Sequence, residues 1–240
     1  LSKTHLNIMK KYIGTKTVQA MPAVRKGGKI CMPGDENPKS LDPVEDGYMV
    51  VYEDGYESWS PKEVFEKAYR IAETAVDRMH IEWNELAEKL GNLNAFIESK
   101  SKKLPTTIQA MLHAQNAVMQ DYMNVLALRT TLMETGEGGF SGLSFAVAIT
   151  LLERGFVIRR QGWNGKDIVV FKQVPAQING AIIPKMQSLP YRAKELIMSG
   201  EAHIDYTSQC LIYNRKTGRA DSWVPSISDV FAKDWELVVE

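Results

Sequence analysis

The sequence predicts an α+β chain in three parts: a small N-terminal β unit, a central antiparallel helical hairpin, and a C-terminal, mostly antiparallel sheet with one main helix. Three observations predict this. Residues 48–52 and 56–59 are strand-like runs joined by Glu53-Asp54-Gly55, a strong hairpin signal. Met79, Trp83, Leu86, Leu90, Leu93 and Ile97 recur at alternating intervals of four and three, a heptad seam. After Thr135-Gly136-Glu137-Gly138-Gly139 the chain turns to short strand-like runs separated by turn residues.

The first part is expected over residues 9–60. Residues 1–8 read as an upstream extension without order, with Met9 as a translation start. Residues 12–20 read as a strand ended by Pro22, and residues 26–47, rich in Gly, Pro and Asp, as a surface loop. Tyr48, Tyr52, Tyr56 and Trp59 form an aromatic cluster. It can stack nucleotides or pack a small core, and hairpin aromatics more commonly pack.

The helical part is expected over residues 61–134. Ser60 as N-cap, Pro61 at the first helical position and Glu63 closing a capping box would start it. A polar break at residues 98–103 follows, and Pro105 opens the second helix. On that helix Ile108, Met111, Gln115, Val118, Tyr122, Val125 and Arg129 share one face. Gln115 and Arg129 on an apolar face either address a ligand or set the register of a helical interface, the second being commoner. A helical hairpin alone buries little core, so homo-oligomerisation through the seam is expected, with Leu90 and Leu93 holding copies together.

Residues 135–141 read as a flexible linker and residues 142–240 as a complete domain. Phe145, Ala148, Ile149 and Leu152 predict a short amphipathic helix stopped by Gly155. Strands are expected near 156–160 and 168–173, then a long irregular excursion over 175–190. Further strands are expected near 202–207, 209–214 and 219–224, a helical turn from Ser226, and a closing strand over 235–239.

Charge and composition exclude some classes of function. The 29 Lys and Arg balance the 29 Asp and Glu, so nothing points to bulk DNA or to a membrane surface. No apolar run reaches the roughly 18 residues that span a bilayer. Cys31 and Cys210 stand far apart with no Cys-x-x-Cys pair, which fits a reducing cytoplasm and neither a disulfide framework nor zinc. His5, His80, His113 and His203 lie at no metal-ligand spacing, and no phosphate-binding glycine loop or nucleophile elbow occurs. His203 and Asp205 alternate on one strand and could do acid–base work, but two polar residues on one strand face are usually just its solvent side. The expectation is a chain without catalytic residues, metal or cofactor.

The most informative stretch is Arg159-Arg160-Gln161-Gly162-Trp163-Asn164-Gly165. Asn164-Gly165 predicts a type I′ hairpin turn, which needs positive φ at both central residues. Such a turn would gather an aromatic face, an amide and guanidiniums. Trp163 could stack on a base while Arg159 or Arg160 forks onto a phosphate. The alternative is a core tryptophan beside solvated arginines.

Residues 142–240 closely resemble the second family of Thoeris anti-defence proteins, phage proteins that act as molecular sponges. The resemblance rests on the helix over 143–155, Arg160-x-Gly162-Trp163-Asn164-Gly165, His203-Ile204-Asp205, Trp223-x-Pro225-Ser226-x-x-Asp229, and Ala232-x-Asp234-Trp235-Glu236, in the family's order. It implies binding, without breakdown, of cyclic ADP-ribose isomers made by TIR-domain proteins. For some members it extends to cyclic oligonucleotide signals of the CBASS system. It also implies homo-oligomers with pockets between protomers, in the cytoplasm of an infected bacterium.

Carried over residue by residue, Trp163 would stack on the base, Asn164 would hydrogen-bond near it, and Arg160 would meet the pyrophosphate. Asp205, Ser226 and Asp229 would contact ribose hydroxyls. Ile227 stands where the family commonly has Gln, and residues 175–200 are longer than in compact members. Residues 47–65 are similar to an N-terminal module of uncharacterised phage proteins, and Gln115-x-x-x-Met119-x-x-Tyr122 with Arg129 resembles an uncharacterised helical phage family. The front half is therefore expected to serve as an oligomerisation module or a second binding module. The competing expectations are an enzyme that degrades the same signal through His203 or Asp205, and a phage structural or assembly protein.

Overall fold

The computed structural model describes residues 16–36 and 38–239, which fall into two units, the first ending at Ile71 and the second beginning at Ala72. The expected N-terminal extension and the first four residues of the expected strand over 12–20 lie outside the described residues. The first unit is an antiparallel sheet of order β2-β1-β3-β4, with β1 at Gln19–Lys26, β2 at Lys29–Cys31, β3 at Glu45–Val51 and β4 at Glu57–Pro61.

Two sequence expectations fail here for identifiable reasons. Pro22 does not end a strand: it sits inside β1, opposite Tyr48, where β2 no longer pairs and the missing N–H leaves no ladder bond unmade. The expected loop after residue 26 instead contains a tight hairpin. Gly27 and Gly28, with φ of 56° and 76°, are the two loop residues between Lys26 and Lys29. Positive φ at both positions is what a primed turn needs.

Helix α1 (Lys62–Ala68) starts one residue later than expected and without a side-chain cap. Ser60 cannot cap it, because it remains in β4 opposite Tyr48. Tyr48 stacks on Phe65 at 4.3 Å and Phe65 on Tyr69 at 4.8 Å, which fastens α1 to the sheet. Trp59 lies elsewhere, under Arg25 at 4.1 Å and against Gly47, where a Cβ would stand 2.6 Å from the indole. The tyrosines and Trp59 thus divide among separate packing contacts.

The second unit opens with a capping box. Thr74 accepts from the Asp77 N–H at 3.0 Å, and Asp77 accepts from the Thr74 N–H at 2.9 Å. It starts helix α2 (Ala75–Lys100); a 3-10 turn (Ser101–Lys103) leads to helix α3 (Thr106–Thr135). The pairs His80–Glu134 and Asn94–Asn116 show the two helices running antiparallel.

On α2 most of the expected seam faces inward, with Met79 and Leu90 buried, but Trp83 is exposed. On α3 the inward row is one residue away from the expected one: Gln109, Leu112, Asn116, Met119, Met123, Leu126 and Thr130. Its polar members are all satisfied, Gln109 by the Leu104 carbonyl (2.8 Å), Thr130 by the Leu126 carbonyl (2.8 Å) and Asn116 by Asn94. Hydrogen-bonded in this way, polar groups carry little penalty inside a seam.

Gly136 ends α3 in the left-handed conformation, φ 70°, as a C-cap glycine should. The chain then returns to α3: Ser144 donates to Asp121 at 2.7 Å and Asn124 to the Gly142 carbonyl at 2.9 Å. Helix α4 (Phe145–Glu153), capped by Ser144, packs on a five-stranded antiparallel sheet of order β10-β9-β6-β5-β11. Its strands are β5 (Ile158–Arg160), β6 (Ile168–Lys172), β9 (Cys210–Asn214), β10 (Ala220–Trp223) and β11 (Trp235–Leu237). Leu143, Ala148, Leu152, Ile158, Val170 and Trp235 form the core, with Leu128 of α3 packed at its border.

The expected irregular excursion holds structure of its own. Strand β7 (Ala176–Asn179) pairs with β8 (His203–Tyr206) as a separate antiparallel ribbon, and helix α5 (Tyr191–Ser199) lies between them in sequence. The four-residue helix α6 (Ile227–Val230) follows Ser226. Among the described residues no helix is long and apolar enough to cross a membrane.

Candidate functional site

Strands β5 and β11 build the site by their register. Arg160 stands opposite Trp235 and Arg159 opposite Glu236. Because side chains alternate along a strand, Arg160 shares the face of the buried Trp235, and Arg159 with Glu236 occupies the other.

Arg160 is held by the chain's own oxygens. Its Nε donates to Asp234 Oδ1 at 2.8 Å and its Nη2 to Asp234 Oδ2 at 3.3 Å. Its Nη1 donates to Asp229 Oδ1 at 2.9 Å and to the Ser228 carbonyl at 3.2 Å. With a side chain only 17% exposed, this is a part-buried ion triad. The hydrogen bond to Asp234 raises the guanidinium's pKa above its ordinary value, against burial.

Asp229 is the second hub. It accepts from Trp163 Nε1 at 3.3 Å and closes a capping box with Ser226, whose N–H and hydroxyl reach it at 2.9 and 2.7 Å. Burial pushes its carboxyl up, but hydrogen bonds from Ser226, Arg160 and Trp163 outweigh that and hold it below the ordinary range. Asp234 is lowered too, first by Arg160 and then by the Gly162 N–H. Gly162 is glycine for a steric reason: a Cβ there would stand 2.7 Å from Asp234 Oδ2.

The turn itself differs from the expected type I′. The connection from β5 to β6 runs over residues 161–167, and Gly165, φ 133°, has positive φ whereas Asn164 does not. Asp234 decides this geometry, accepting from Gly162 N at 2.9 Å through its carboxylate and from Gln161 N at 3.0 Å through its carbonyl. Trp163 is half-buried, edge-on to Trp235 (5.5 Å) and Trp223 (6.5 Å).

The structure therefore brings together Arg160, Trp163, Ser226 and Asp229. Asn164 is exposed at the turn, and Ile227 is exposed on the first position of α6. Asp205 stands on the β7–β8 ribbon, where it accepts from Gln177 at 3.0 Å and faces His203 Nε2 at 3.4 Å. None of these contacts joins it to the Arg160 cluster.

A cleft of about 310 Å³ lies beside the cluster, lined by Arg159, Arg160, Gln161, Trp163, Gly165, Lys166 and Glu236. Arg159 pairs with Glu236 and donates to the Lys166 carbonyl at 2.9 Å. Lys166 is exposed at the rim. Sequence reasoning missed Asp234, Glu236 and Lys166 as site residues. The signal was present in the basic pair of one strand and the acidic residues flanking Trp235 of another, but only the register shows that they meet. A larger cleft of about 400 Å³ in the N-terminal unit is lined largely by β1 and β3, with Asp35 and Asp46 against a single Lys62. That balance suits an anionic ligand less well.

Comparison with known proteins bears on the C-terminal domain and on the hairpin. Residues 143–238 match the Thoeris anti-defense 2-like domain. Residues 73–132, which cover most of the helical hairpin, match a family named sequestin. A curated relative, Thoeris anti-defense 2 of Bacillus phage SP01, is 26% identical over 98 residues, covering 40% of this chain and 94% of the relative. The C-terminal domain is thus of the Thoeris anti-defense 2-like kind, and this chain carries in addition a hairpin and an N-terminal sheet.

Proposed function

We propose that the protein is a phage anti-defence factor that binds a cyclic ADP-ribose-type immune signal and withholds it intact from its receptor. Acting in the infected cell, it assembles as a homo-oligomer with ligand pockets shared between protomers, and cyclic oligonucleotides of the CBASS type are further candidate ligands. The observation that carries this reading is the match of residues 143–238 to the Thoeris anti-defense 2-like domain, and the turn of that domain here borders a cation-lined cleft.

In this reading the residues divide the work. Trp163 borders the cleft as the stacking surface, Asn164 offers its amide at the turn, and Arg160, Ser226 and Asp229 hold the frame from which ribose and phosphate contacts are made. Asp205 joins from the separate ribbon or from a neighbouring copy. Arg160 has one N–H left after its four bonds, so a pyrophosphate takes its further contacts from Arg159 and Lys166 at the rim. A micromolar dissociation constant corresponds to about 8 kcal/mol, and one base–aromatic stack supplies about 1–3 kcal/mol, so several such contacts must act together.

The test is to mix purified protein with a cyclic ADP-ribose isomer made by an activated Thoeris TIR protein, filter out the protein, heat it, and analyse both fractions by mass spectrometry. Sequestration removes the ligand from the filtrate and returns it unchanged on heating. A linear product would replace this reading with an enzyme, for which His203 and Asp205, 3.4 Å apart, are the acid–base pair to mutate. If the isomer stays in the filtrate and CBASS cyclic oligonucleotides do too, the reading is wrong.

A further inference from the structure

The cleft beside the β5–β6 turn holds a carboxylate that phosphate binding alone does not explain. Arg159 and Lys166 line it as cations, while Arg160 is committed to Asp229 and Asp234. Glu236 lines the same cleft, with a side chain only 14% exposed. A negative charge beside phosphates weakens their binding by Coulomb repulsion, unless it accepts hydrogen bonds from the ligand itself.

Glu236 is held in place and still has acceptor capacity left. Its Oε1 accepts from Arg159 Nε across the β5–β11 pair, and its Oε2 accepts from Gln161 Nε2 at 3.0 Å. An ionised carboxylate has about four lone-pair sites, so roughly two stay free. Arg159 likewise keeps N–H donors, having used Nε on Glu236 and Nη1 on the Lys166 carbonyl at 2.9 Å. Acceptor and donors thus stand side by side in one cleft. The other carboxylates near the turn do not offer this. Asp229 Oδ1 accepts from Arg160 and Trp163 and its Oδ2 from the Ser226 N–H and hydroxyl, which fills its sites. Asp234 is taken up by Arg160 and the Gly162 N–H, and Asp205 stands on its separate ribbon.

We propose that Glu236, oriented by Arg159 and Gln161, accepts a hydrogen bond from a ribose hydroxyl, so that the cleft selects ribonucleotides over 2′-deoxyribonucleotides. The phosphate meets the free N–H groups of Arg159 and the ammonium of Lys166, and the ribose beside it meets Glu236, neighbours as they are in a nucleotide. Acidic side chains hold ribose 2′-hydroxyls in dinucleotide sites for the same reason: the carboxylate is a strong acceptor and the hydroxyl an uncharged donor. The inference rests on this cleft being the nucleotide site proposed above, and not on that nucleotide being cyclic.

The test is calorimetry of the full chain with ADP and with 2′-deoxy-ADP, which share base and pyrophosphate and differ by one hydroxyl. The wild type is expected to bind ADP roughly tenfold or more tighter than its deoxy counterpart. In Glu236→Ala the two affinities should come together, with 2′-deoxy-ADP bound no more weakly than by the wild type, because a negative charge has left the phosphates. If Glu236 serves only to position Arg159, the variant weakens both ligands alike and keeps their ratio, which overturns the proposal. A wild type that binds both equally, or neither at millimolar concentration, overturns it too. If Glu236→Ala loses its circular dichroism signal, Glu236→Gln takes its place: a neutral acceptor should lower the ratio at least threefold, and an unchanged ratio sinks the idea. A chain that holds the cyclic isomer yet does not tell the two diphosphates apart loses the ribose contact alone. One that tells them apart yet lets the isomer pass loses the cyclic ligand alone.

Discussion

Arg160 has five N–H donors, and four of them already bond to oxygens of its own chain. Its first role is therefore to tie the turn to the segment over 226–234. Asp234→Asn removes one carboxylate from the triad while keeping its shape; because Asp234 is partly exposed, the expected loss is about 1–2 kcal/mol at neutral pH, read by urea unfolding. The pH dependence follows from the lowered carboxyls of Asp229 and Asp234. The folded chain holds those protons less tightly than the unfolded chain, so their stabilisation is complete above the ordinary carboxylate pKa of about 3.9 and is lost as pH falls through the lower folded values. The gap between wild type and Asp234→Asn should accordingly close below about pH 4; a gap that stays constant would show that the carboxylate charge contributes nothing. Trp163→Ala removes both the packing on Trp223 and Trp235 and the bond to Asp229, at an expected 2–3 kcal/mol, roughly. Loss of ligand in that variant thus needs a stability measurement beside it.

At the scale of elements, the hairpin owes its start to Thr74 and Asp77 rather than to Ser60. Thr74→Ala should lower stability by about 1 kcal/mol, and Ser60→Ala should leave the start of α2 untouched, as hydrogen exchange of the first turn would show. Leu90 is buried between α2 and α3. Leu90→Asp places a charge inside the hairpin and should abolish helical signal, instead of releasing folded monomers as the seam alone had predicted. The one-residue error on α3 is instructive. Both of its rows are spaced as heptads, and hydropathy favours the row of Ile108, Met111 and Val118. The chain turns the more polar row inward because Asn94, the Leu104 carbonyl and the Leu126 carbonyl satisfy it there. Periodicity identifies faces, but partners choose between them.

For the whole molecule, the cleft beside the β5–β6 turn makes a prediction that separates binding from folding. Arg159 and Lys166 line it without being buried. Changing both to Ala should leave the unfolding transition within about 1 kcal/mol of wild type, since the Arg159–Glu236 pair is part-exposed. Ligand affinity should fall at least tenfold, about 1.4 kcal/mol, as measured by calorimetry with the cyclic ADP-ribose isomer. An unchanged affinity would move the phosphates away from this cleft.

The sequence by itself determined the class of the fold, the Glu53–Gly55 hairpin, the α2 seam, the opening and ending of α4 and the start of α6, because those depend on neighbours in the chain: spacing, caps and turn residues. It also carried the resemblance of the last hundred residues, which rests on ordered motifs. The tertiary structure alone decided that Pro22 stays within a strand, that residues 176–199 fold into a strand and a helix, and which face of α3 turns inward. It decided likewise that Arg160 is clamped between Asp229 and Asp234 while Arg159 and Lys166 line the cleft, and that Asp205 stands apart on its own ribbon. Each of those outcomes depends on groups far away in sequence. Whether a polar side chain is free to meet a ligand is fixed by which partner the fold brings to it first.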